Sequence, residues 1–266
     1  METKPLILVT NDDGPRAEGL HVLADAVSDL GRVVLTTPLR EMSACGRSIT
    51  LSSPLRASLT EDPRGRPLYL VDGTPADCVK LCLHNLLEER PQLVLSGINL
   101  GSNYGTDLIY SGTAAGAGEG ALVDIPSAAF SLAVTDRITK RLDYRPAASF
   151  AKRLAEYLLL HPPPRLTFFN VNVPVDAKMD AKVRLTRQGG SGFEEDFQEA
   201  RDPRGKRHYW LAGKMMPSSG DVAYDDEAVS RGYISVTPVG HDWTDHETLK
   251  RIQESREGRS LLLGEA

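Results

Sequence analysis

Leu6-Ile7-Leu8-Val9-Thr10-Asn11-Asp12-Asp13-Gly14 is the stretch that decides the fold. Its first five residues form an apolar, β-branched run of the length expected for a buried strand, and Asn-Asp-Asp-Gly after it is a turn cluster. From Ala17 to Leu30, the apolar residues Leu20, Leu23, Ala24, Val27 and Leu30 share one helical face. Gly31 then stands where a helix C-terminal glycine belongs. Val33 to Thr37 (VVLTT) is the next predicted strand. Strand, loop, helix, strand is a crossover unit, and it predicts a parallel sheet with right-handed connections.

The pattern repeats along the chain. Leu68 to Val71 predicts a short strand, and Thr74-Pro75-Ala76-Asp77 supplies an N-cap, a first-turn proline and an acid for a helix reaching about Leu87. Gln92 to Leu95 predicts a buried strand leading into a Gly-rich loop, Ser96 to Gly105. Thr113 to Val123 predicts a tightly packed helix, Ser127 to Val134 a strand, and Tyr144 to Leu160 a helix. Alternation of this kind implies a Rossmann-like, doubly wound α/β fold with a mostly parallel sheet.

After about residue 162 the texture changes. Leu166 to Val173 and Val183 to Thr186 predict strands, Gly189 to Gly205 a charged loop, and His208 to Ala212 and Tyr233 to Val236 strands of antiparallel type. Glu247 to Leu261 predicts a charged terminal helix. The chain has neither a Ser/Gly linker nor an internal repeat. The expectation is a single domain over 1–266, with an α/β core at 1–165. Residues 166–266 are then a β-rich hairpin extension and a C-terminal oligomerisation arm.

Composition removes several classes. With 41% hydrophobic and 25% charged residues in 266, the chain is neither disordered, collagen-like nor a coiled coil. A net charge of −5 lacks the basic excess that gripping a nucleic-acid duplex requires. An anionic substrate must therefore be held locally, by a metal ion, a helix N-terminus or backbone N–H groups. Three cysteines without framework spacing suit a reducing cytoplasm, and Cys78 and Cys82, four apart in a predicted helix, read as core residues. No apolar run reaches the ~18 residues of a membrane span, and the N-terminus lacks a signal pattern. The expected location is cytoplasmic, away from membranes.

Three loops each follow a predicted parallel strand: Asn11 to Gly14, Pro38 to Gly46, and Ser96 to Gly105. Ligands of open α/β sheets bind at the carboxyl ends of strands, where strand order reverses, so these loops are expected to converge. Adjacent Asp12 and Asp13 repel unless a cation neutralises them or one binds a proton. A hard divalent ion such as Mg²⁺ or Mn²⁺ suits such oxygen ligands, although an Asp that merely caps a helix fits the pair as well. Ser111-Gly112-Thr113, before the Gly/Ala-rich helix, offers hydroxyls and a helix N-terminus to a phosphate, or only a plain cap.

Taken together, these motifs resemble the SurE (survival protein E) nucleotidase family. The resemblance rests on the strand followed by Asn-Asp-Asp-Gly, on Asp72-Gly73-Thr74-Pro75-Ala76-Asp77-Cys78-Val79, and on Ser96-Gly-Ile-Asn-x-Gly-x-Asn-x-Gly. Tyr110-Ser-Gly-Thr-Ala-Ala with Glu119-Gly120, and Gly232-Tyr-Ile-Ser-Val-Thr-Pro238, complete it. Five motifs in one order, from residue 6 to about 245, are specific where each alone is weak. The resemblance implies a metal-dependent phosphatase acting on nucleoside 5′- and also 3′-monophosphates. It implies one Mg²⁺ or Mn²⁺ per subunit on Asp12, Asp13, Ser43 and Asn99, with Asp12 and Asp13 also catalytic. Asn11, Asn103, Ser111, Gly112 and Thr113 match positions near the phosphate. Glu41, Met42 and Cys45 depart from the family's usual basic, Ser-Gly-Ala-rich loop around Ser43. A homodimer or homotetramer with exchanged C-terminal elements is also implied.

Three other readings compete. Haloacid-dehalogenase-like phosphatases need a second aspartate two residues on, and Gly14 stands there instead. A nucleotide- or dinucleotide-binding Rossmann-like protein without phosphatase activity would use Gly116-Ala-Gly118-Glu-Gly120-Ala121 with Asp136, but that stretch lies mid-chain and its glycines look interior to a helix. A non-enzymatic regulator would have lost oxygen ligands that all four matched positions retain. His241 and His246, with Asp242 and Asp245, read as a solvated turn or as a cluster reaching a site across a subunit contact.

Overall fold

β1 (Leu6–Thr10) is buried at all five residues, near the middle of a nine-stranded sheet. The computed structural model describes residues 4–134, 142–216, 220–255, 257, 260 and 262. In chain order there follow α1 (Glu18–Ala26), β2 (Arg32–Pro38), β3 (Ala57–Glu61), β4 (Pro67–Val71) and α2 (Pro75–Leu81), which runs on as a π-helical turn, Cys82–Leu86. Next come β5 (Leu93–Leu100), a 3-10 turn (Gly105–Tyr110), α3 (Gly112–Leu122), β6 (Ser127–Ala133) and α4 (Arg145–Leu160). The C-terminal part holds β7 (Thr167–Pro174), β8 (Val183–Leu185), β9 (Gly192–Arg201), β10 (Arg207–Met216), α5 (Asp225–Ser230), β11 (Ile234–Gly240) and α6 (His246–Glu254).

The strand order is β3-β4-β2-β1-β5-β6-β7-β11-β8, with β9 and β10 as a separate two-stranded hairpin. From β4 through β7 every pairing is parallel; β3 and β11 join antiparallel. The chain winds outward from β1 through β2 and returns to its other side at β5. The reversal of strand order therefore lies between β1 and β5, which is the expected place for a ligand. Helices cover both faces, so strand residues are apolar in both directions. Ile7 and Val9 join Leu20, Leu23, Phe150 and Leu154 in the core under α1 and α4. Leu8, between them on the opposite face, packs with Val79, Cys82 and Val94. Cys78 and Cys82 are both fully buried, as core residues should be.

Three sequence expectations need correction. Ser96 to Leu100 belongs to β5, with an irregularity between Ser96 and Asn99, and is not loop. Gly192 to Arg201 is a strand, because cross-strand pairing with β10 supplies what its charged, solvent-facing side chains do not. β3 and α5 had no apolar signature; every residue of β3 is exposed. The C-terminal helix ends at Glu254, and most of its expected continuation to Leu261 lies outside the described residues. β7, β11 and β8 continue the main sheet well past residue 165.

Candidate active site

The carboxyl ends of β1, β2 and β5 and the N-terminus of α3 meet around Asp12. Asn11 shapes the first loop: its Nδ2 donates to the Gly14 carbonyl (2.9 Å), and its Oδ1 accepts from Thr37 Oγ1 (2.5 Å) at the end of β2. Both ends of this buried side chain thus serve the scaffold. The Asp12 carbonyl accepts the Met42 N–H at 2.8 Å, which ties the loop after β2 to the loop after β1.

Asp12 is 5% exposed, and its Oδ1 accepts the Thr113 hydroxyl at 2.6 Å. Burial raises its pKa, and hydrogen bonds from Thr113 only partly oppose this. Asp13 is half-buried; burial first, then the adjacent Asp12 charge, push its carboxyl up to about 6, against a hydrogen bond from the Leu100 N–H. Glu41 adds a third negative charge nearby. Among the described residues no Lys, Arg or His lies within 4.0 Å of either aspartate. Two carboxylates kept without a counter-charge are a site that gains from a cation.

α3 is brought up to this pair by small residues. A Cβ on Gly112 would fall 2.8 Å from both Cβ and Oδ2 of Asp12, and one on Gly116 2.8 Å from Thr10. One on Gly120 would fall 2.3 Å from the Ser127 hydroxyl. These glycines are interior to a helix pressed on β1, β5 and β6, not a strand-to-helix turn. The dinucleotide reading is not favoured; its Asp136 lies outside the described residues. Ser111 caps α3, its Oγ accepting the Ala114 N–H at 3.0 Å while keeping its own proton to donate.

Asn99 closes the irregular part of β5, opposite Ser131, with its Nδ2 donating to the Gly101 carbonyl (2.9 Å). The peptide before Ile98 is cis. Asn103 is the hub of a buried amide cluster. Its N–H donates to Asn172 Oδ1 (2.8 Å), its Nδ2 to Ser131 Oγ (2.8 Å), and its carbonyl accepts from Asn170 (2.7 Å) and Asn172 (3.2 Å). Ser43 is exposed, and its hydroxyl donates to Glu41 Oε1 at 2.7 Å. Sequence reasoning missed what holds its loop. Asp77 accepts from the Thr50 N–H (3.0 Å) and hydroxyl (2.6 Å) while completing the capping box with Thr74, and Thr74 Oγ1 donates to the Ser48 carbonyl (2.7 Å). The Gly-Thr-Pro-Ala-Asp signature (73–77) was legible as a helix start; its second task, clamping residues 48–50, was not.

The two C-terminal histidines separate. His241 packs edge-on to Phe168 beside α3, its Nδ1 against the Leu166 carbonyl at 2.9 Å. His246 pairs with Asp242 at the surface (2.8 Å), and Asp245 caps α6. Among the described residues there is no cluster of three or more His, Cys, Asp or Glu placed to hold a metal, so a metal here needs neutral oxygens as well.

A carboxylate pair at the reversal point of a doubly wound sheet, facing a helix N-terminus, defines a Rossmann-like α/β protein with a polar site at the carboxyl ends of its strands. The family is specific: the model of the Survival protein SurE family matches residues 7–195, and the chain belongs to it. It is 40% identical over 250 residues to the 5′-nucleotidase SurE of Caldanaerobacter subterraneus subsp. tengcongensis, covering 94% of this chain and 96% of that one. To the 5′-nucleotidase SurE of Nostoc sp. it is 43% identical over 251 residues, covering 90% and 93%. The crystal structure of the Aquifex aeolicus SurE protein superposes with a TM-score of 0.78 at 37% identity, covering 94% of this chain and 98% of that one.

Proposed function

We propose that this chain is a divalent-metal-dependent nucleotidase that hydrolyses nucleoside 5′-monophosphates, and 3′-monophosphates as well, to nucleoside and phosphate. The observation that carries this reading is the pair of buried Asp12 and half-buried Asp13 without a counter-charge, set against the N-terminus of α3. Asp12, Asp13, Ser43 and Asn99 are the residues that would hold one Mg²⁺ or Mn²⁺ per subunit; Ser43 donates its proton to Glu41 and so keeps its oxygen lone pairs for the ion. The bound ion supplies the positive charge that polarises a phosphate and acidifies a water. Thr113 fixes the Asp12 carboxylate in one orientation, so that it can align an attacking water or accept its proton. The Ser111 hydroxyl and the first N–H groups of α3 face the charge that develops on the transferring phosphoryl.

The test is a nucleoside-monophosphate panel with EDTA and with Mn²⁺ or Mg²⁺ restored, run on wild type and Asp12→Asn. Full activity of the variant, or activity indifferent to EDTA, sinks the metal-site reading. Rapid-quench trapping of a covalent intermediate would replace attack by water with attack by an aspartate. Assembly belongs to the same proposal. The β9–β10 hairpin exposes Phe197, Trp210 and Leu211 at 60% or more, which supports a homo-oligomer built through this arm. Light scattering on Trp210→Glu checks it: an unchanged mass rejects the arm as the interface.

A further inference from the structure

A cleft of about 590 Å³ opens beside the site, between residue 47, the 3-10 turn and the outer end of β11. Arg47, Arg187, Gln188 and Trp243 are among its walls. Arg47 lies over the Phe168 ring at 5.6 Å and Arg187 over the Tyr224 ring at 4.9 Å. Neither guanidinium has a carboxylate within 4.0 Å among the described residues, a state they share with Arg153 and Arg184, which also lie over rings, but these two line one cleft. A guanidinium stacked on a ring keeps its in-plane N–H donors open, and those donors match phosphate. The nearby acids are already engaged. Glu119, whose charge acts on Arg47, pairs with Lys80 (2.8 Å), and Asp242, itself a charged wall of the cleft, is turned to Thr244 and His246. The cleft on the other side of the loop also holds two arginines, but Arg40 there stands opposite Asp72 (3.6 Å), so that only Arg56 is without a carboxylate among the described residues. Two unpaired cations in one cleft repel each other, and an anion relieves them, as a cation relieves Asp12 and Asp13.

The spacing is read along α3. Gly112 abuts the Asp12 carboxylate, while a Cβ on Gly118 would fall 3.6 Å from Arg47 Cζ. Six residues of helix separate these contacts by about 9 Å. One phosphate does not reach both positions. We propose that this cleft is a second anion subsite, which takes the second phosphate of a nucleotide that carries one on its ribose besides the phosphate at Asp12. The proposal rests on the nucleotidase reading for which phosphate sits at Asp12, and on nothing else from it.

The test is calorimetric titration of the whole protein, loaded with Mn²⁺, with the non-hydrolysable phosphonate analogues of adenosine 3′,5′-bisphosphate, AMP and ADP. Wild type is expected to bind the bisphosphate about tenfold more tightly than AMP, the worth of one or two charge-assisted hydrogen bonds. ADP, with its second phosphate at the same end of the molecule, should bind like AMP. Arg47→Gln and Arg187→Gln should each bring the ratio toward one, and Arg204→Gln, at the hairpin tip, should leave it unchanged; if one variant does not fold, the other decides. Absence of a preference in wild type, a preference that survives both variants, or equal tightening by ADP overturns the assignment. AMP turnover with Mn²⁺ is measured alongside. No turnover with the tenfold ratio intact would sink the nucleotidase reading and leave the cleft assignment standing.

Discussion

Asp13→Asn should make the metal-free protein more stable while abolishing its response to metal. The Asp13 carboxyl is moved from 3.8 to about 6, first by burial and then by the Asp12 charge. That displacement corresponds to about 3 kcal/mol of native-state cost for ionisation. Water still screens part of the group, which reduces the contribution to about 1–2 kcal/mol. Asparagine keeps an oxygen for the Leu100 N–H and removes the charge. For a protein of this size the gain is about 2–6 °C in melting temperature. The sign with pH follows from proton counts. Between about pH 4 and 6 the native state holds a proton that the unfolded state has released, so wild-type stability falls as pH rises through that window. The advantage of Asp13→Asn is therefore full above about pH 6 and vanishes below about pH 4. Thermal melts in EDTA from pH 4 to 8 measure it. Millimolar Mn²⁺ should then raise wild type by mass action and leave the variant where it was. A variant less stable than wild type in EDTA at pH 7.5, or an advantage independent of pH, refutes the electrostatic account of the pair.

Three further outcomes are expected. Thr113→Val removes the only side-chain hydrogen-bond donor to buried Asp12 among the described residues and should cost about 1–2 kcal/mol in chemical denaturation, with a marked loss of kcat. Gly112→Ala places a methyl 2.8 Å from Asp12 Oδ2, so AMP hydrolysis should collapse by an order of magnitude or more while circular dichroism keeps its native form. Asp77→Ala deletes the capping box and both Thr50 contacts and should cost about 2 kcal/mol. Although burial opposes it, hydrogen bonds hold the Asp77 carboxyl below its usual range, so its stabilisation is complete above the usual carboxylate range and is lost in acid. If wild type minus Asp77→Ala is flat down to pH 3, that assignment is wrong.

The amino-acid sequence by itself determined the winding of the chain. Strand-loop-helix-strand at residues 6–37 is local chemistry: β-branched runs, helical periodicity and a terminating glycine act over a few residues and so can be read from one. The same holds for the Thr74 cap, for the small residues of α3, and for the aspartates at a strand end. Tertiary structure decided what depends on partners far away in the chain. β3 and β9 are strands because β4 and β10 pair with them, not because of their own side chains. Asn103 is a hub because β6 and β7 bring Ser131, Asn170 and Asn172 to it. Asp12 is a perturbed carboxylate because the fold buries it, and it is held in place by Thr113, 101 residues on, whose hydrogen bond offsets part of that burial. Two isolated arginines, 47 and 187, share one cleft only because the loop after β2 and the segment before β9 meet beside β11. Sequence encodes which residues are available to the site; burial and long-range hydrogen bonds set their charge, their orientation and their neighbours.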